Sequence, residues 1–229
     1  MIRVLLTLSP ILVAIAFCGT AHAANPVAGS SGTPMQGSID GNTIVSSAFP
    51  PGRITLDKAF AYVGATSFVL YGVADCEIHV FADIKDNKVL RFYWVQFEGY
   101  LWSRPFSHYD YGSDPQDTMI GGHAFHRRSW ASNVEEGRKR GRPGSDSEAV
   151  LKLLEGKGYA VGPDTMNVRL VRLDEAKRKE LMIIYSENLA ARGLKATDLA
   201  KDGSAFSQRN ELFAGLRDRA VAGIVMDMK

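Results

Sequence analysis

The residue types best suited to ligand recognition are concentrated in one predicted β-hairpin between positions 76 and 98. If Asp86 and Asn87 form its turn, strand alternation places Ile78 opposite Val95 on one continuously apolar face. The other face then combines aromatic rings with carboxylate, imidazole and amide groups, and further rings follow: Glu77, His79, Phe92, Trp94, Gln96, Glu98, Tyr100 and Trp102. Because rings supply contact area and polar groups fix orientation, these residues predict a binding site for a small polar or cyclic molecule, or for a protein partner. The alternative interpretation is a second small core of rings, with Glu77 and His79 solvated at its edge.

Histidines offer a second kind of chemistry, since imidazole and carboxylate groups are ligands of zinc. The candidates share one stretch that we expect to be irregular: His108, Asp110, Asp114, Asp117, His123 and His126. His123 and His126 are three residues apart and would share one side of a helical turn. Neither an HExxH motif nor a cysteine pair accompanies them, so the sequence favours ordinary surface or capping histidines, and we assign no metal and no cofactor. A periplasmic, hydrolase-like enzyme that uses these histidines or His79 stays open as an alternative function.

A basic cluster, residues 138–142, precedes a helix start signal. Such a cluster could bind a phosphate, an anionic glycan or an acidic partner. The sequence favours a solvated loop instead, because Glu135 and Glu136 balance part of its charge. The whole chain has 27 basic and 25 acidic side chains, a net charge of +2. We therefore expect no binding of nucleic acid.

The elements that must position these groups are mostly strands. Runs of β-branched and aromatic residues bounded by turn residues predict five of them: 66–72, 76–83, 89–98, 166–173 and 180–187. Ser145 and Glu148 form a capping-box pattern that indicates a helix over 146–157. Apolar residues spaced four apart between Leu212 and Met228 predict a C-terminal amphipathic helix over 207–225. We expect an α+β fold, with an antiparallel sheet of five or more strands covered by the internal helix and the C-terminal helix.

The N-terminal region predicts export. Arg3, an apolar stretch and the small residues around position 23 match a secretory signal peptide over 1–23. Residues 24–52 are rich in Gly, Ser, Pro and Asn, which predicts a flexible linker before a single domain over 53–229. We expect a periplasmic or secreted protein with no membrane span, whose remaining cysteine, Cys76, is buried and unreactive. A structural or assembly role, with residues 24–52 as a tether, is a further alternative.

Overall fold

The computed structural model describes residues 36–47 and 49–229. The predicted signal peptide over 1–23 lies outside these residues. The strands are β1 (Gly37–Asp40), β2 (Thr43–Ser46), β3 (Gly52–Leu56), β4 (Ala61–Leu70), β5 (Ala74–Lys85), β6 (Lys88–Tyr100), β7 (Thr118–Ile120), β8 (His123–Asn133), β9 (Ala160–Val161), β10 (Asp164–Leu173), β11 (Lys179–Asn188) and β12 (Ile224–Met228). The α-helices are α1 (Val134–Arg140), α2 (Asp146–Gly156) and α3 (Arg209–Ala222). None of the described helices is long and apolar enough to cross a membrane.

Two sheets form the framework. The larger one has eight strands, seven of them in the order β4-β5-β6-β11-β10-β8-β7, and the short β9 runs parallel to the start of β6. The smaller one has four strands in the order β1-β2-β3-β12. Apart from β9 all pairs are antiparallel, so the predicted α+β fold with an antiparallel sheet of at least five strands is confirmed.

The larger sheet is covered on both faces, because its central strands carry apolar side chains in both directions. One face, named here the α2 face, belongs to a core that includes Val80, Trp94, Ile184, Val150 and Leu154. The opposite face, named the α3 face, belongs to a core that includes Tyr93, Tyr185, Phe213, Leu216, Ile44 and Ile54. Helix α2 therefore covers one side of the sheet, whereas α3 and the smaller sheet cover the other.

A β-bulge shifts the register of the central hairpin. Asp86 and Asn87 form the turn as expected, both with positive φ. Next to the turn, Ile84 pairs with Val89, but Asp83 pairs with Arg91, which leaves Leu90 without a partner in β5. One extra residue on one strand is the defining feature of a bulge, and every later pair is displaced by one.

The displaced register overturns the predicted face. Ile78 lies opposite Gln96 rather than Val95. Because a shift of one residue sends a side chain to the other side of a sheet, Gln96 and Trp94 lie on the α2 face, with Ile78, whereas Glu77 and His79 lie on the α3 face. The prediction that these four polar and aromatic residues share one face is therefore wrong.

Three other elements differ from the predictions. The C-terminal helix ends at Ala222, and the apolar residues from Ile224 to Met228 form β12, which pairs with β3. Part of the basic cluster lies on α1 rather than in a loop. Strand β7 and the start of β8 occupy the C-terminal part of the stretch expected to be irregular, including His123 and His126.

The range 24–52, whose composition predicts a linker, includes two of the observed strands. Residues 24–35 lie outside the described part of the chain, but 37–46 form the hairpin of β1 and β2. Ile44 is fully buried and pairs with Ile54 of β3. The folded part of the chain therefore begins before Arg53, because a few apolar residues in a polar segment are enough to anchor two short strands.

Candidate ligand-binding cavity

A cavity of about 560 Å³ opens between the α2 face and the segment that contains α1 and the start of α2. Its floor comes from one cross-strand row of the larger sheet, in which Phe92 of β6 lies opposite Ser186 of β11, followed by Asn167 of β10 and Trp130 of β8. Trp94 and Ile184, a neighbouring opposed pair, extend the floor. The floor therefore carries three aromatic rings on rigid strands, which is the usual way to hold a flat apolar ligand.

Polar groups of the same face form a hydrogen-bonded cluster at one side of this floor. The Asn167 amide oxygen accepts a hydrogen bond from Ser186 Oγ at 2.7 Å. Its amide nitrogen donates to Ser132 Oγ at 3.0 Å and to Thr165 Oγ1 at 3.2 Å. All four side chains line the cavity. Since a hydroxyl group carries one proton and two lone pairs, the three hydroxyls retain capacity to bond a ligand.

Two arginines of the basic cluster also line the cavity, on the side opposite the sheet. Arg138 of α1 forms ion pairs with Glu155 and, at 3.4 Å, with Glu135. The guanidinium of Arg142 lies over the Tyr71 ring, 4.8 Å from its centre. This side of the cavity therefore combines two guanidinium groups with the Glu148 carboxylate, in contrast to the aromatic rings of the floor.

A chain of buried hydrogen bonds leads from the cavity floor along β6. Trp94 Nε1 donates to Gln96 Oε1 at 2.8 Å, and Gln96 Nε2 donates to Glu98 Oε2 at 2.6 Å. Tyr109, in the loop after β6, donates its hydroxyl to Glu98 Oε1 at 2.8 Å. Because every member has a partner, the chain fixes the orientation of the Trp94 indole in the floor.

Two buried carboxyl groups, Glu98 at the end of this series of hydrogen bonds and Glu180 opposite it, have raised pKa values. Burial, together with the charge of the nearby Asp146 carboxylate, raises the pKa of Glu98 to about 7. Burial and the charge of Glu98 raise the pKa of Glu180 to about 8. Tyr111 donates its hydroxyl to Glu180 Oε2 at 2.8 Å. Both carboxyl groups therefore titrate in the neutral range rather than near pH 4 to 5.

The eight predicted site residues fall into three places. Phe92 and Trp94 line the cavity, and Gln96 and Glu98 continue from it as the buried chain. Tyr100 is half-buried and stacks on Tyr109 with ring centres 4.5 Å apart, whereas Trp102 is 97% exposed. The structure thus brings four of the eight together.

Glu77 and His79 serve the opposite side of the sheet. His79 Nε2 lies 2.6 Å from Glu77 Oε1, and both side chains are buried. The Glu77 carboxylate also accepts hydrogen bonds from the backbone N–H groups of Gln36 and Gly37, the latter at 2.9 Å. This pair therefore attaches β1 to the larger sheet, and it has no access to the cavity.

The histidine group does not form a metal centre. Within residues 36–47 and 49–229, no three His, Cys, Asp or Glu side chains are placed to hold a metal ion. His123 and His126 lie on strand β8, where an odd spacing sends them to opposite faces. Asp114 and Asp117 instead form ion pairs with Arg169 and Arg127, each at 2.7 Å.

The rest of the cavity lining was missed by sequence reasoning. Asn167, Ser186, Ser132 and Trp130 come from strands far apart in the chain, and only the register of the sheet brings them together. Trp130 lies on a strand that was not predicted.

Cys76 is buried, and burial raises the pKa of its thiol, which favours the unreactive form.

Comparison with protein families, curated proteins and solved structures gives no match. The functional conclusion therefore depends on the cavity itself.

Proposed function

We propose that this protein is an exported, non-catalytic binding protein for a small amphipathic molecule, which occupies the cavity on the α2 face. The observation that carries the proposal is the combination of a ring-lined floor, a cluster of hydroxyl and amide groups, and two arginines around one space of about 560 Å³. Pockets of roughly 300 to 1,000 Å³ with few polar groups on an apolar lining are typical of small-ligand sites. The signal-peptide pattern over 1–23 supports export.

The chemistry of the lining indicates the ligand class. Phe92, Trp94 and Trp130 suit an aromatic or aliphatic body, because their faces provide a large apolar area. Arg142 suits a negatively charged end, such as a carboxylate or a sulfonate, whereas Arg138 is already paired with Glu155 and Glu135. The hydroxyls near Asn167 suit a further polar substituent. An organic acid with an apolar body meets all three requirements.

A hydrolase-like enzyme with histidine chemistry receives less support. Such an enzyme would need His79 or one of His108, His123 and His126 beside the ligand, and the cavity lining includes none of them. A structural or assembly role for residues 24–52 concerns a different part of the chain and is compatible with ligand binding.

Two anionic amphipathic probes test the proposal: anilinonaphthalene sulfonate, followed by its fluorescence, and decanoate as a competitor. We expect saturable binding of the first, displacement by the second, and a higher melting temperature with either, because a ligand of the native state stabilises it.

A matched pair of glycine variants locates the bound probe. Gly137 of α1 lines the cavity, and a side chain added there meets open space. Gly156 of α2 has equally open surroundings and does not line the cavity. We expect Gly137→Leu to weaken probe binding about tenfold by filling the space and Gly156→Leu to leave it unchanged. Equal affinities of the two variants, or no probe binding by the wild type, would reject the cavity as the site.

A further inference from the structure

The loop between β6 and β7 carries two aromatic side chains that the fold leaves in solvent. Trp102 is 97% exposed and Phe106 is 93% exposed. By contrast, Trp94 of the same region is buried, and most rings of the described residues pack into the two cores. Two large apolar side chains four residues apart in one loop, both at this exposure, are unfavourable in water and indicate an interaction surface.

The loop is ordered by one arginine. Arg178 lies in the turn between β10 and β11, and its Nη1 donates to the carbonyl oxygens of Arg104, Pro105 and Ser107 at 2.7, 2.9 and 2.9 Å. Its Nη2 lies within 3.5 Å of the carbonyl oxygens of Tyr100 and Leu101. A guanidinium group has five donors in a fixed plane, so one side chain can hold several backbone segments.

Backbone contacts add to this support. The N–H of Tyr109 donates to the carbonyl oxygen of Lys177 at 2.8 Å, and the Tyr100 and Tyr109 rings stack at the base of the loop. The two exposed rings are therefore presented by a structured loop. A pre-organised loop loses little conformational entropy when its side chains become buried in a partner.

The surroundings of the two rings are basic. The part of the loop that carries the rings and the adjacent turn, residues 100–110 and 174–179, contain four basic residues (Arg104, Lys177, Arg178 and Lys179) and three acidic ones (Asp110, Asp174 and Glu175), a net charge of 4 − 3 = +1. Arg104 lies between the two rings in sequence and is exposed, as are Lys177 and Lys179. The surface is therefore complementary to a negatively charged partner.

We propose that this loop docks the protein on an anionic lipid bilayer, with Trp102 and Phe106 inserted at the headgroup level. Trp is enriched at membrane interfaces, and basic residues beside inserted rings contact anionic headgroups. Two exposed rings provide far less area than the roughly 800 Å² per partner of a stable protein interface, whereas shallow insertion into a bilayer requires no complementary pocket. This proposal is independent of the cavity, which lies on another part of the sheet.

Co-sedimentation of the full chain with vesicles tests the proposal. Vesicles of equal parts phosphatidylglycerol and phosphatidylcholine are compared with vesicles of phosphatidylcholine alone. We expect clear binding to the first and much weaker binding to the second, with the difference reduced by added salt. In the double variant Trp102→Ala, Phe106→Ala, binding should fall by about tenfold or more, because both inserted rings are lost.

Met119→Ala is the matched control, because Met119 is an exposed apolar residue outside this loop. It should bind as the wild type does. Quenching of tryptophan fluorescence by brominated lipids reports the depth of Trp102 and should be lost in Trp102→Phe. All three changed positions are exposed, so unchanged melting temperatures are expected to confirm folding.

Equal binding of the double variant and the wild type would overturn the proposal, as would the absence of sedimentation with anionic vesicles. Self-association that the double variant abolishes, without vesicle binding by the wild type, would instead assign the loop to a second copy of the chain.

Discussion

Glu98 of β6 and Glu180 of β11 lie directly opposite each other in the register of the larger sheet, and both are buried. Two like charges on directly opposed residues in a region of low dielectric repel each other, so the pair is most stable when at least one carboxyl group is protonated. Tyr109 and Tyr111 donate to the two groups and keep them within the network. The pair therefore links the stability of the sheet to pH.

The first prediction concerns this linkage. The native pKa values, about 7 and about 8, lie above the ordinary value of 4.5. Between pH 4.5 and about pH 8 the native state therefore binds more protons than the unfolded state. The contribution of the pair to stability is thus fully present below pH 4.5 and is lost as pH rises through 7 to 8. We expect Glu180→Gln to remove much of this loss and to raise the free energy of unfolding at pH 8.5 by about 1–2 kcal/mol. Urea denaturation of the wild type and the variant across a pH series measures the free energy of unfolding.

The control for this prediction is Glu175→Gln, which changes an exposed carboxylate in the turn before β11. Its stability curve should parallel that of the wild type. An unchanged pH dependence in Glu180→Gln would contradict the linkage.

A second prediction concerns the bulge at Leu90. Deletion of Leu90 removes the residue of β6 that has no partner in β5, and the pairs on either side of it, Ile84 with Val89 and Asp83 with Arg91, can form unchanged. Trp94 then stays opposite Val80 on the α2 face, so we expect the deletion variant to keep a cooperative thermal transition, measured by circular dichroism. The substitution Leu90→Lys keeps the extra residue at a partly exposed position and should change stability by no more than about 0.5 kcal/mol. Loss of the cooperative transition in the deletion variant would show that the bulge itself is required for the native pairing.

A third prediction concerns the attachment of β1. Glu77→Ala removes the acceptor for His79 and for the backbone N–H groups of Gln36 and Gly37, all in or beside the core. Leaving buried donors without a partner should cost about 2–4 kcal/mol. Hydrogen exchange should speed up over 37–46, and denaturant unfolding gives the total loss.

The comparison for that variant is Asp40→Ala, which breaks the exposed ion pair with Arg53 in the same small sheet. It should cost less than about 1 kcal/mol. Similar losses in both variants would mean that the buried pair contributes no more than a surface contact.

A fourth prediction concerns Arg178. Arg178→Met keeps the aliphatic part of the side chain and removes the donors to three or more loop carbonyls. We expect faster proteolysis and faster hydrogen exchange over 101–108. Global stability should fall by only about 1–2 kcal/mol, because water can replace Arg178 as the hydrogen-bond donor to many of the loop carbonyls. Lys177→Met, which removes a neighbouring exposed charge, should leave both rates unchanged. Equal protection of the loop in the two variants would exclude Arg178 as its organiser.

The parts of the fold that could be predicted depend on local signals. Helix α2 follows from the cap at Ser145, whose Oγ accepts from the Glu148 N–H at 3.2 Å, and the hairpin turn follows from Asp86 and Asn87. Strand β8 was missed because histidines, arginines and small residues dominate its sequence, and only pairing with β10 determines its structure. Strand β12 was merged with α3 because Ile224 and Met228 continue a spacing of four, although Ile224 and Met226, buried two apart, fit a strand equally well.

The candidate site was only half accessible to prediction for a similar reason. The alternation of β6 correctly placed Phe92, Trp94, Gln96 and Glu98 on one face. The assignment of Glu77 and His79 to that face required the register across the turn, and a single unpaired residue at position 90 changes it without any distinctive residue type. The polar cluster around Asn167 depends on contacts between distant strands, which no local pattern encodes.

Pairing of β12 with β3 joins residues 224–228 to residues 52–56. Until a growing chain has been extended through that closing segment, β3 has an open hydrogen-bonding edge, and Ile54 and Leu56 lack part of their cover. Synthesis must therefore run almost to the end of this sequence before the smaller sheet can be completed. A nascent chain stalled ahead of position 224 would offer an unprotected strand to its neighbours, and aggregation would be its characteristic failure.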